Sequence, residues 1–292
     1  MIIMTLTMGN AYSADSEGYV AHYYNPAGLA KQPHRKLQVV IADIQGLLGS
    51  GGIGLASSGQ SLGVVHLFDD LQKSPNSYKY FRFNGVTSFA ARSFGATFLG
   101  TYEYAAQSDG TNADVNTHVD VGTNIGVARN FAANLVKLGI SGKIFLRNEL
   151  KGTFAHSSLT DSESVAALYK EGLGVGANAG LLLTLPYKYL PSFGLVWKDI
   201  LGTRFISETS ILNGSSSGKP EQIDQSVNAA VSIHPAFDRV HRTTISFEFR
   251  HIERVDLPLR KKLHFGFQMV RARRFFIWAG LSQLYPSAGI AL

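Results

Sequence analysis

The stretch that decides the fold is 173–185, LGVGANAGLLLTL. Laid out as an extended chain, Leu173, Val175, Ala177, Ala179, Leu181, Leu183 and Leu185 share one side. Gly174, Gly176, Asn178, Gly180 and Thr184 share the other, with Leu182 as the one exception. A period of two is the signature of a strand with one apolar and one polar face. The segment is longer than the roughly five or six residues of an ordinary globular strand. It also exceeds the roughly 9–11 residues that cross a bilayer as a tilted strand.

The same alternation recurs along the chain. Val115, Val119, Val121, Ile125 and Val127 oppose Asn116, His118, Asp120, Gly122 and Asn124. Val136, Leu138, Ile140, Ile144 and Leu146 oppose Lys137, Ser141, Lys143 and Arg147. Val227, Ala229, Val231 and Ile233 oppose Asn228, Ser232 and His234. Further on, Ile245, Phe247 and Phe249 face away from Ser246, Glu248 and Arg250, and Leu263, Phe265, Phe267 and Met269 from His264, Gly266 and Gln268. Additional strands are expected at 37–46, 82–91, 95–106, 192–199, 274–283 and 286–292. The dividers QSDGTNAD (107–114), LNGSSSGKPEQ (212–222), HPAFDR (234–239) and YPSAG (285–289) have turn chemistry. The total is about twelve strands in one domain, 1–292, with the last strand cut short.

Composition bounds the class. Of 292 residues, 45% are hydrophobic and only 16% charged, against the roughly 25% charge usual in soluble domains. No apolar run approaches the roughly 18 residues of a membrane helix. Thirty glycines, twelve tyrosines and eighteen phenylalanines suit a β wall with aromatic interfaces. An antiparallel transmembrane β-barrel and a soluble β-sandwich or barrel both fit these facts. The polar rows mix glycine, asparagine and isolated charges, which is more like a wet lumen than a Lys/Glu-rich outer surface.

Charge and cysteine content exclude several chemistries. The net charge of +6 is modest, and the clusters RKK (260–262) and RARR (271–274) flank a strand, which argues against a nucleic-acid partner. Zero cysteines removes thiol catalysis, disulfides and thiolate metal sites. The nine histidines show no metal-ligand spacing, so no metal, cofactor or catalytic residue is expected. GSGGIG (49–54), with Asp69 or Asp70 downstream, formally matches a dinucleotide fingerprint, but no helix can start in the LASSGQS that follows. GSSSG (214–218) matches a nucleophile elbow but lies in a polar loop without the strand and helix that motif needs. Short loop helices are expected in 61–73 and in 158–172, the second stopping at Gly172. His118 with Asp120, and Glu248 with Arg250, share strand faces and read as interior polar pairs.

One segment breaks the β rhythm before the first strand: HYYNPAGLAK at 22–31. Asn25 is a good N-cap, Pro26 costs nothing at N1, and Ala27, Leu29 and Ala30 permit one short turn that Pro33 ends. With its flanks, MGNAYSADSEGYVAHYYNPAGLA (8–30) resembles the N-terminal signature of the FadL-type outer-membrane barrel superfamily. The matching positions are Gly9, Ala11, Ala14, Asp15, Tyr24, Asn25, Pro26, Ala27, Gly28, Leu29 and Ala30. The stretch 247–292 is similar to the last hairpins of the TraF-like and PorV-like branch.

The resemblance implies an outer-membrane barrel of about 12–14 strands in a Gram-negative bacterium. Residues 8–33 would be a hatch inside it, with Asn25, Pro26, Ala27, Gly28 and Leu29 at its centre. His118, Asp120, Asn178, Glu248 and Arg250 would line the lumen. The implied function is passive transport of hydrophobic small molecules, with outer-membrane lipid as the surrounding partner. The alternative is a non-transport scaffold or shuttle, partnered by proteins of a secretion or conjugation apparatus, and the polar inward rows lean towards it. Residues 1–18 carry no basic leader and only about eight apolar residues, so an export signal upstream of Met1 is expected.

Overall fold

The computed structural model describes residues 8–31, 37–49, 71–73, 75–158, 162–212, 214–235, 241–272 and 274–291. The candidate dinucleotide motif beyond Gly49, Asp69 and Asp70, and most of the 61–73 segment lie outside them.

Among the described residues thirteen strands make one sheet. They are β1 (Gln38–Leu48), β2 (Tyr78–Ala91), β3 (Phe94–Ser108), β4 (Asn112–Phe131), β5 (Val136–Ala155), β6 (Lys170–Thr184) and β7 (Ser192–Lys198). Then come β8 (Arg204–Glu208), β9 (Ser226–Ile233), β10 (His241–Phe249), β11 (Leu263–Arg271), β12 (Phe275–Ser282) and β13 (Tyr285–Ala291). Each strand pairs antiparallel with its neighbours in the order β1 to β7, then β9 to β13. The short β8, which the sequence pattern did not signal, lies off this path and pairs with β6. With β8 set aside the path alternates in direction, so β1 and β13 run antiparallel; among the described residues they share no ladder.

The alternation becomes an inside-out wall. Phe83, Phe98, Ile140, Val175, Phe247 and Phe265 are exposed on the convex side. Asn84, Thr97, Asn124, Ser141, Asn178, Ser232 and Ser246 are buried on the concave side. Stacked soluble sheets would bury the first set and hydrate the second. The observed arrangement is that of an antiparallel transmembrane β-barrel wall, with outward apolar and inward polar residues alternating.

One end of the wall carries short connections, such as Arg92–Ser93 between β2 and β3 and the turn at 132–135. The other end carries long ones, including 156–169 and 199–225. At this long-loop end the outward faces are covered: Phe81, Tyr104, Val115 and Leu150 pack under Leu71, Val165 and Tyr169. The helix within 158–172 is therefore shorter than expected, spanning Ser162–Ala166. Gly172 does not stop it but belongs to β6, because Lys170 onward is drawn into the ladder with β5.

Candidate functional site

The N-terminal segment is folded into the concave side of the sheet. A 3-10 turn (Gly18–Val20), one helical turn (Ala21–Tyr24) and a second 3-10 helix (Pro26–Lys31) follow one another, and nearly all their residues are buried. Asn25 is the pivot. Its Oδ1 accepts from Ala27 N at 3.1 Å, the N-cap bond read from the sequence. Its Nδ2 donates to Ser13 O at 2.9 Å and to Leu181 O of β6 at 3.2 Å, which ties the hatch to itself and to the wall.

The wall receives the hatch through glycine. A β-carbon on Gly180 would overlap Asn25 Oδ1, and one on Gly139 would overlap the Pro26–Ala27 backbone. Gly95 and Gly126 make room for His22 and Leu29, Gly194 for Ser13 and Ala14, and Gly266 and Gly280 for Met8 and Gly9. These inward glycines come from β3, β4, β5, β6, β7, β11 and β12, so the seat runs around most of the wall. The sequence signalled it only as glycine recurring in polar rows, and bends or a thin wall were the natural reading. The outward glycines Gly46, Gly85, Gly100 and Gly142 meet nothing.

Charge secures the seat. The fully buried Glu248 accepts from Tyr12 N at 3.1 Å, Ser13 N at 3.0 Å and Ser13 Oγ at 2.9 Å. Arg250 Nε pairs with Glu248 at 2.7 Å, and Arg250 also donates to Asn10 O. The expected pair forms, and Glu248 spends its lone pairs on the N-terminal segment and Arg250; a buried carboxylate persists only when its lone pairs are met in this way. At the short-turn end His234 Nε2 meets Asp15 at 2.8 Å, with Lys31 at 3.7 Å. The Asp15 hydrogen bond and charge raise the His234 pKa above its ordinary 6.5 although burial alone would lower it. The Asp15 pKa is lowered by His234 and Lys31 although burial alone would raise it.

Beside the N-terminal segment lie two cavities of about 240 and 320 Å³. The first is bordered by Leu99, Phe145 and Ile223 and by Asp120, Arg147, Asn178 and Asp199. The second lies against Val86, Tyr19 and Arg82. His118 and Asp120 do share the inward face, but at 3.9 Å the contact is minor. Asp120 instead makes a two-pronged bond, 2.7 Å each, to Arg147 directly across the β4–β5 ladder, a cross-strand partner that single-strand periodicity cannot reveal. Asn178 Nδ2 donates to Ser141 Oγ at 3.0 Å and its Oδ1 accepts from Asp199 N at 2.9 Å. In the 214–218 loop Ser216 Oγ accepts from Glu171 N and Ser217 Oγ donates to Tyr169 O, so these hydroxyls pin the loop to β6.

Fold and site together define an antiparallel wall of β-barrel type whose N-terminal segment packs against the inner face. No protein-family model and no curated protein sequence matches the chain. Among solved structures it is similar to the "CymD monoaromatic hydrocarbon channel", with TM-score 0.55 and 11% identity over 99% of this chain and 84% of that one. The Pseudomonas putida toluene transporter TodX also aligns, with TM-score 0.45 and 11% identity over 95% of this chain and 90% of that one.

Proposed function

We propose that the chain is a passive channel for hydrophobic small molecules in the outer membrane of a Gram-negative bacterium. The observation that carries this reading is the hatch. A segment seated on inward glycines and bonded to Glu248 occupies the concave side of the sheet with two cavities beside it, which supports a plugged lumen. The architecture shared with a monoaromatic hydrocarbon channel supports the same reading. Short connections ordinarily face the periplasm and long ones the exterior, so solutes would enter over the long loops and meet the hatch from above. No covalent step is involved: partly apolar walls lower the free energy of a solute in the lumen, and displacement of the hatch or a side path releases it.

Reconstitution in liposomes tests the proposal. Entry of a radiolabelled aromatic hydrocarbon is expected to be faster with the protein than without it, and faster again when Glu248→Gln loosens the hatch. Equal rates in all three cases would leave the scaffold reading, which the ion pairs among the cavity walls favour.

A further inference from the structure

Four residues border both cavities: Tyr23, Thr97, Leu99 and Lys198. They form a waist between the two spaces. Lys198 closes β7, and its parity with Ser192, Gly194 and Val196 places it on the inward face.

Most other inward cations have carboxylate partners, while Lys137, at the short-turn end, donates to Asn134 O instead. Arg147 holds Asp120 at 2.7 Å, Arg250 holds Glu248 at 2.7 Å, and Lys143 is paired with Asp199. Arg82 has Glu103 at 3.6 Å. Lys198 has none. Among the described residues its ammonium makes no hydrogen bond and no ion pair, and its one close partner is the ring face of Tyr24, 5.4 Å from the centroid. The carboxylates nearest in the lumen, Asp199 and Glu248, are each already engaged. The hydroxyl of Tyr23, a residue 45% exposed to the lumen, also lacks a hydrogen-bond partner among the described residues.

An ammonium withdrawn from bulk water with no carboxylate bonded to it is unfavourable, and an arriving anion relieves it. Beside it, Leu99 and the Tyr23 ring offer apolar surface. We propose that this waist binds a small hydrophobic monoanion, a single-ring carboxylic acid. Its carboxylate accepts from Lys198 Nζ and Tyr23 Oη, and its ring lies against Leu99. This inference rests on the channel reading and narrows its substrate class. A cavity of about 150 Å³ suffices for a benzene-sized ring, so either space admits one. A neutral hydrocarbon would satisfy the apolar wall and leave the ammonium unpaired. A second carboxylate would find Arg147, Arg250 and Lys143 already paired.

The test is a calorimetric titration of the full chain in detergent micelles with benzoate and with its neutral isostere benzamide. Benzoate is expected to bind about tenfold more tightly, the worth of one charge-assisted contact. Lys198→Met should abolish that preference, and Lys198→Arg should retain most of it. Equal affinities in the parent protein, which needs no variant to fold, would overturn the proposal. So would a preference that survives in Lys198→Met. Hydrocarbon flux without benzoate preference sinks this inference and leaves the channel; benzoate preference without flux does the reverse.

Discussion

Glu248 and Ser13 are separated by 235 residues, yet the carboxylate accepts both the backbone N of Ser13, at 3.0 Å, and its hydroxyl, at 2.9 Å. One wall side chain thus orders the start of the hatch. Removing its charge leaves Arg250 without its carboxylate and weakens three hatch bonds. Glu248→Gln is expected to cost about 3 kcal/mol. Limited proteolysis should then cleave within residues 8–31 while the strands stay resistant; a protected N-terminus in the variant would contradict this.

The glycine seat makes a paired prediction. Gly180→Ala forces a methyl group onto Asn25 and should destabilise the seated hatch by about 1–3 kcal/mol, the usual range for overpacking. Gly142→Ala, on the outward face with open space around it, should be neutral or slightly stabilising, because strand glycine is entropically unfavourable. Thermal unfolding of the two variants decides the matter, and similar losses in both would dispose of the seat.

The Asp15–His234 contact carries a pH signature. His234 has a raised folded pKa, so its contribution is complete below the ordinary 6.5 and disappears as pH rises through the raised value. Asp15 has a lowered folded pKa, so its contribution is present above the ordinary 3.8 and disappears as pH falls through the lowered value. Hatch protection should therefore be greatest in mildly acid solution and weaken towards alkaline pH. Hydrogen exchange of the hatch amides measured across pH, corrected for intrinsic rates, should lose its alkaline limb in His234→Gln.

The outer cluster at the long-loop end is independent of the hatch. Leu150 is fully buried there, and Leu150→Ala should cost about 2–5 kcal/mol through lost contacts and a cavity. Proteolysis of the 156–169 loop should accelerate, with the hatch unaffected. Simultaneous loosening of both would mean that the two ends are coupled.

Local chemistry was enough to place most of the wall and the capped turn at Asn25, because both depend on near neighbours. Alternation of apolar and polar residues at 173–185 states which residues share a face whatever lies across the ladder. Asn25 followed by Pro26 encodes its own cap. The short β8 escaped because five residues offer too few alternations to read.

Contacts across large sequence separations belong to the tertiary structure alone. Asp120 could be assigned an interior place, but its choice of Arg147 over His118 depends on the β4–β5 register. Glu248 could be placed inward, but only the folded N-terminal segment supplies the Tyr12 and Ser13 donors that it bonds. The glycines of seven strands have no common meaning until curvature of the sheet brings them around one segment, where the absence of a side chain becomes the shape of a seat.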